Sequence, residues 1–105
     1  MFAAWYIKTG KANDVMHLGQ IEKPRPKSHE VLIKVKASGI NPSDVKKRDG
    51  ARGPMDFKKI IPHSDGSGII ESVGSKVNPK RINQRVWVWN AAWKRPFGTA
   101  AEYLA

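Results

Sequence analysis

The sequence predicts a mainly β fold, a compact barrel or sandwich with one short helix, and three observations carry that prediction. Apolar and polar residues alternate over short runs, Pro and Gly punctuate the gaps, and no amphipathic helix recurs between the runs as a parallel sheet would require. With 105 residues and 40% hydrophobic content, the chain is sized for one core.

Phe2 to Ile7 is an aromatic and β-branched run that ends in the turn-forming segment Lys8 to Asp14. Val15 to Ile21 reads as a second strand, with Val15, His17, Gly19 and Ile21 on one face. Pro24 and Pro26 cannot donate ladder hydrogen bonds and end the pairing. From Glu30 to Ala37 the period is two: Val31, Ile33, Val35 and Ala37 share one face, and Lys34 and Lys36 face water. Asn41-Pro42-Ser43-Asp44 is a helix start, because Asn41 can cap, Pro42 suits the first turn and Asp44 can bond back to the cap. Asp49-Gly50 stops this helix after about two turns. The loop up to Ile60-Ile61-Pro62 has no periodicity, and Asp65 to Gly74 is a strand with glycines near both ends, where backbone bends or admits a neighbour. Arg85 to Trp89 and Thr99 to Leu104 complete six or seven strands. Trp87, Trp89 and Trp93 cluster near the hairpin between them and read as barrel core plus an apolar interface.

Nineteen Lys and Arg against nine Asp and Glu give a net charge of +10, spread over both halves of the chain. That spread excludes a polybasic arm and leaves nucleic acid, an anionic surface, a phosphate-bearing cofactor or simple solubility as its meaning. The absence of cysteine excludes disulfides, zinc fingers and thiol nucleophiles. No apolar stretch approaches the roughly 20 residues of a membrane helix. Met1 to Gly10 lacks the signal-peptide pattern, so the cytoplasm is the expected compartment and no membrane partner is expected. His17, His29 and His63 have no metal-ligand spacing. His63-Ser64-Asp65 is no hydrolase triad, because neighbours in extended chain point to opposite faces. Neither a Gly-rich dinucleotide turn nor a Walker-type loop occurs.

Three motifs in order carry a resemblance: Ala37-Ser38-Gly39-Ile40-Asn41-Pro42-Ser43-Asp44, then Pro62-His63-Ser64-Asp65-Gly66-Ser67-Gly68, then Phe97-Gly98-Thr99-Ala100-Ala101-Glu102-Tyr103. Together with the layout of Met1 to Ala37 they resemble the N-terminal GroES-like domain of medium-chain dehydrogenases/reductases, in the quinone oxidoreductase branch. The resemblance implies a partly open β-barrel over residues 1–105, one GroES-like (alcohol dehydrogenase N-terminal-like) domain, with the Rossmann cofactor domain absent from this chain. It implies the N-terminal catalytic-domain fragment of an NADPH-dependent oxidoreductase that passes hydride to a small quinone or enone, inactive by itself. Zinc alcohol dehydrogenases of the family bind zinc through a Cys and a His at these motifs, whereas Asn41 and Ser64 stand at those positions here, so the zinc-free branch is implied and no metal.

Without a metal, the oxygen that gains charge during hydride transfer needs hydrogen-bond donors. The resemblance gives Asn41 that catalytic and cofactor-binding role near the nicotinamide, beside its helix-capping role. Relatives often carry Tyr five residues after this Asn; Lys46 stands there, as a candidate contact to the cofactor or a solvated side chain. His63 replaces a glycine of many relatives and reads as a locally bonded loop histidine or a proton relay. The expected partner is the missing Rossmann domain or a chain supplying it, with a homo-oligomer left open. Two alternatives without catalysis stand beside this: a standalone GroES-like interaction module, and a basic single-stranded nucleic-acid-binding barrel using the tryptophans as stacking surfaces.

Overall fold

Two sheets meet along the last strand of the chain in the computed structural model, which describes residues 1–105. Phe2–Trp5 (β1) and His17–Gln20 (β2) pair antiparallel, separated by the single helical turn Ala12–Val15 (α1). Val31–Gly39 (β3), Asp65–Val73 (β4), Arg85–Val88 (β5) and Tyr103–Leu104 (β6) form an antiparallel sheet in the order β5-β4-β3-β6. Pro42–Asp49 (α2) is the one sizeable helix.

The segment that ends in β6 joins the sheets. The Ala4 N–H donates to the Ala100 carbonyl at 2.9 Å and the Glu102 N–H to the Phe2 carbonyl at 3.0 Å, while the Val35 N–H donates to the Glu102 carbonyl at 2.8 Å. One stretch of backbone thus bonds β1 on one side and β3 on the other. β2 and β5 remain the two unpaired edges, which makes the barrel partly open. The run expected as one strand from Thr99 to Leu104 shrinks to β6 and an isolated Ala3–Ala101 bridge, because its hydrogen bonds are shared between two partners.

Two further expectations are corrected. Val15 to Ile21 is not one strand: residues 12–15 close a helical turn that buries Val15 against Tyr6 and Ile60, and pairing begins only at His17. Burial of one apolar side chain overrides the alternation that the sequence displays. In β3 a register shift between Leu32 and Ile33 places both residues inside, so the burial does not follow strict alternation, although Lys34 and Lys36 do face water.

The core is thin. Sixteen of the 105 residues are buried, chiefly Ala3, Leu32, Ile33, Ile61, Ile70 and Leu104 in the barrel, with Tyr6, Val15 and Ile60 beside them. Trp87, Trp89 and Trp93 are not core: they are 77%, 75% and 64% exposed. Trp87 alternates outward on β5, an edge strand with no sheet packed over that face, and Trp89 follows it two residues on. Because so few residues carry the core, Ile70→Ala is expected to cost about 2–5 kcal/mol, read as a lower urea midpoint at unchanged slope.

Candidate active site

Gly39-Ile40-Asn41 leads from β3 into α2, and the glycine explains how the motif works. A Cβ at position 39 would sit on the carboxylate of Asp65, the residue paired with it across the ladder. With no side chain there, the Asp65 carboxylate occupies the space and its Oδ1 accepts from Asn41 Nδ2 at 3.2 Å. Asp44 Oδ2 accepts the Asn41 backbone N–H at 2.8 Å in the expected capping box. Asn41 is therefore held from both sides, and its amide keeps one N–H for another acceptor.

A second set of bonds converges on Asp65. The Thr99 hydroxyl, on a buried residue, donates to the Asp65 carbonyl at 2.7 Å. Ser38 Oγ lies 2.8 Å from Thr99 Oγ1 and 2.8 Å from His63 Nδ1. His63 has a left-handed backbone, φ 79°, a conformation that glycine adopts most readily. Burial lowers its pKa below the ordinary histidine value, against the opposing pull of Asp44 and Asp65.

Between α2, the loop of residues 50–60 and the 90–93 turn lies a cleft of about 390 Å³, whose walls include Tyr6, Ser43, Lys47, His63, Ser64 and Trp93. Burial pushes the Tyr6 phenol up, with Asp44 adding to the effect, so it is a protonated donor at neutral pH. Asn41 is not among the residues of this cleft's wall; it bonds Asp65 at the start of α2, two residues before Ser43, which is. Lys46 is exposed and lies outside the cleft wall, and the lysine that enters the wall is Lys47. Helical spacing carries that signal: Ser43 and Lys47 are four residues apart and share a face. The contribution of Tyr6 has no comparable signal, because it depends on the Tyr6–Ile60 bridge between distant segments. No three His, Cys, Asp or Glu side chains converge to hold a metal ion.

The profile of the alcohol dehydrogenase GroES-like domain matches residues 27–104. Quinone oxidoreductase of Mus musculus is 45% identical over 67 residues, which are 64% of this chain and 20% of the relative. A chloroplastic NADPH-dependent alkenal/one oxidoreductase of Arabidopsis thaliana is 35% identical across 97% of this chain and 28% of its own length. Among solved structures, a mycobacterial quinone oxidoreductase superposes with a TM-score of 0.80 at 26% identity, over 99% of this chain and 30% of that one. A mycobacterial protein solved with NADPH gives 0.80 at 25% identity over the same shares, 99% and 30%. The chain thus spans between 20% and 30% of the length of these proteins.

Proposed function

This chain belongs to the medium-chain dehydrogenase/reductase family, in its quinone oxidoreductase-like branch, with the GroES-like domain as the matching part, and from that premise we propose a specific role for it. Residues 1–105 form the catalytic-domain portion of a zinc-independent, NADPH-dependent reductase of quinones or enones that works in the cytoplasm. A Rossmann domain, on the same polypeptide or a partner chain, completes it.

The observation that carries this reading is the clamped Asn41, with one N–H left over, at the foot of a helix that buries none of its residues. Ile40 is 72% exposed beside it, and Val45 is exposed on α2, so apolar surface lies open on both sides of Asn41 in the chain. Such a patch is what a covering domain would bury. The residues present fit the reacting end of the cofactor and not its adenosine end, since no glycine-rich turn opens a helix here for a pyrophosphate. When bound, the nicotinamide supplies hydride. Asn41 then offers its free N–H to an amide or a carbonyl oxygen in an orientation that Asp65 and Asp44 have already fixed. The zinc-free reading is supported by the donor set, an amide at Asn41 and a hydroxyl at Ser64, neither suited to zinc.

The test is a fusion of this chain, through Ala105, to a dinucleotide-binding domain of a quinone oxidoreductase. It is expected to consume NADPH with benzoquinone or methyl vinyl ketone, and to keep that activity in a chelator. Activity with neither acceptor, or its loss to chelation, would contradict the proposal.

The exposed Trp87, Trp89 and Trp93, with the Lys94 ammonium 4.5 Å from the Trp93 ring centroid, favour a second reading, single-stranded nucleic-acid binding. Tryptophan fluorescence of the 105-residue chain, titrated with an oligonucleotide at two salt concentrations, separates the two. Tight binding that weakens steeply with salt would favour the nucleic-acid reading. The reductase reading expects no such binding, and equally weak binding of NADPH to the chain alone.

A further inference from the structure

The Ser38–Thr99 hydroxyl pair lies beside an open groove lined also by Val35, Ala37 and Ala101, and His63 forms part of the wall of both this groove and the cleft. We propose that His63 is a further catalytic group of the cleft, presenting Nε2 to the substrate oxygen and giving it a proton once hydride transfer has charged that oxygen. The proposal rests on the reductase reading above.

Counting protons along the hydrogen bonds fixes the ring. The Asp65 carbonyl can only accept, so the one hydroxyl proton of Thr99 is used there. Ser38 must therefore donate its own proton to Thr99 Oγ1. Its oxygen is then free only to accept, and His63 Nδ1 must carry a proton and donate it. The neutral ring consequently has its lone pair on Nε2, the nitrogen for which no protein partner occurs. A histidine held in one tautomer, with one nitrogen anchored and the other unpaired, in a residue that lines a cleft, has the arrangement of an acid–base group.

One more feature agrees. The left-handed backbone at His63 costs a non-glycine residue conformational energy, and such conformations persist where surrounding structure imposes them. Here the imposing contacts are backbone bonds: the Thr99 N–H donates to the His63 carbonyl at 2.9 Å, and the Ala91 N–H to the Ser64 carbonyl at 2.7 Å. The charged and titratable groups around the ring are Asp44 and Lys47 of α2, Asp65 of β4, Arg52 and Asp56 of the 50–60 loop, and Tyr6. Burial outweighs the two carboxylates that favour the imidazolium, so the resting ring is neutral and takes a proton at Nε2 from solvent before it acts as donor.

The step balances with the hydride already invoked. Hydride addition leaves the former carbonyl oxygen with an extra electron pair; the new O–H bond forms as the Nε2–H bond of the imidazolium breaks. That bond's electrons stay on the ring, which returns to the neutral form with Nδ1–H still bonded to Ser38. Solvent protonates Nε2 again after product leaves. Because the acid form is the donor, the proton-transfer rate falls as pH rises through the His63 pKa.

Heteronuclear NMR of the histidine ring nitrogens in the 105-residue chain tests this, with hydroquinone as the probe. The expected spectrum shows His63 protonated at Nδ1 and unprotonated at Nε2, and hydroquinone, donating its O–H, shifts the Nε2 resonance. Ser38→Ala removes the acceptor and moves the tautomer balance toward Nε2–H. His63→Asn, whose side chain tolerates left-handed backbone, weakens hydroquinone binding about three- to tenfold. An Nε2–H tautomer in the unmodified chain, or an Nε2 resonance that hydroquinone leaves unmoved, overturns the proposal. A fusion enzyme that reduces no quinone strikes the underlying reading instead, so the two failures are told apart.

Discussion

Replacing Gly98 with alanine is expected to destabilise the chain by about 3 kcal/mol, a large part of the 5–15 kcal/mol typical of a native domain. A Cβ at position 98 would run into the carbonyl oxygens of His63 and Pro62. Neither obstacle is the movable end of a side chain. Both belong to backbone that the 98–100 segment itself holds, since the N–H groups of Gly98, Thr99 and Ala100 donate to Ile61, His63 and Pro62 at 2.7, 2.9 and 3.1 Å. Relief of the clash must break that ladder, and with it the placement of His63 against Ser38. Urea denaturation measures the loss, and a midpoint unchanged by the substitution would show that the two segments are not locked together.

Asp65→Ala is expected to lower the turnover of the fusion enzyme about 100-fold, with the fold retained. The carboxylate is the only side-chain partner of the Asn41 amide nitrogen, and it fills the space left by Gly39. Without it the amide nitrogen loses its anchor, the cap contact to the Asp44 backbone alone remains, and the free N–H is less well aimed at the reacting atoms. Asp65→Asn keeps a carbonyl oxygen at the same place, and part of the rate should return. Equal rates for the alanine and asparagine variants would mean that Asp65 does not work through Asn41. The readout is kcat with saturating NADPH, which separates orientation from cofactor affinity.

Local chemistry made much of this visible in the sequence. The capped helix at Asn41, its stop at Gly50, and the outward lysines of β3 follow from contacts within a few residues. Ordered motifs identified the fold where each alone would have been weak. What stayed hidden depends on contacts made across the chain. Val15 turns inward because Tyr6 and Ile60 lie over it, and Lys47 rather than Lys46 enters the cleft because the loop of residues 50–60 closes on one face of α2. The tryptophans read as barrel core plus an apolar interface; the exposure of all three removes the core half of that reading, and for Trp87 it goes with an outward position on the edge strand β5, which only the strand order reveals. For His63 the sequence offers a loop histidine or a proton relay and does not choose, because its hydrogen-bond partners lie 25 and 36 residues away, directly or through Ser38.

The joint between the two sheets also governs how the protein is made. Ala3 meets Ala101, so the contact that unites the halves spans nearly the whole chain. Bringing such distant segments together carries a loop-closure entropy that grows with the logarithm of their separation, and folds rich in remote pairings form slowly. On the ribosome β3 and β4 can pair early, but β1 has no second neighbour until residues 100–102 have left the exit tunnel. Until then its apolar strand is an open edge, and the nascent chain must be kept from pairing with other chains through it.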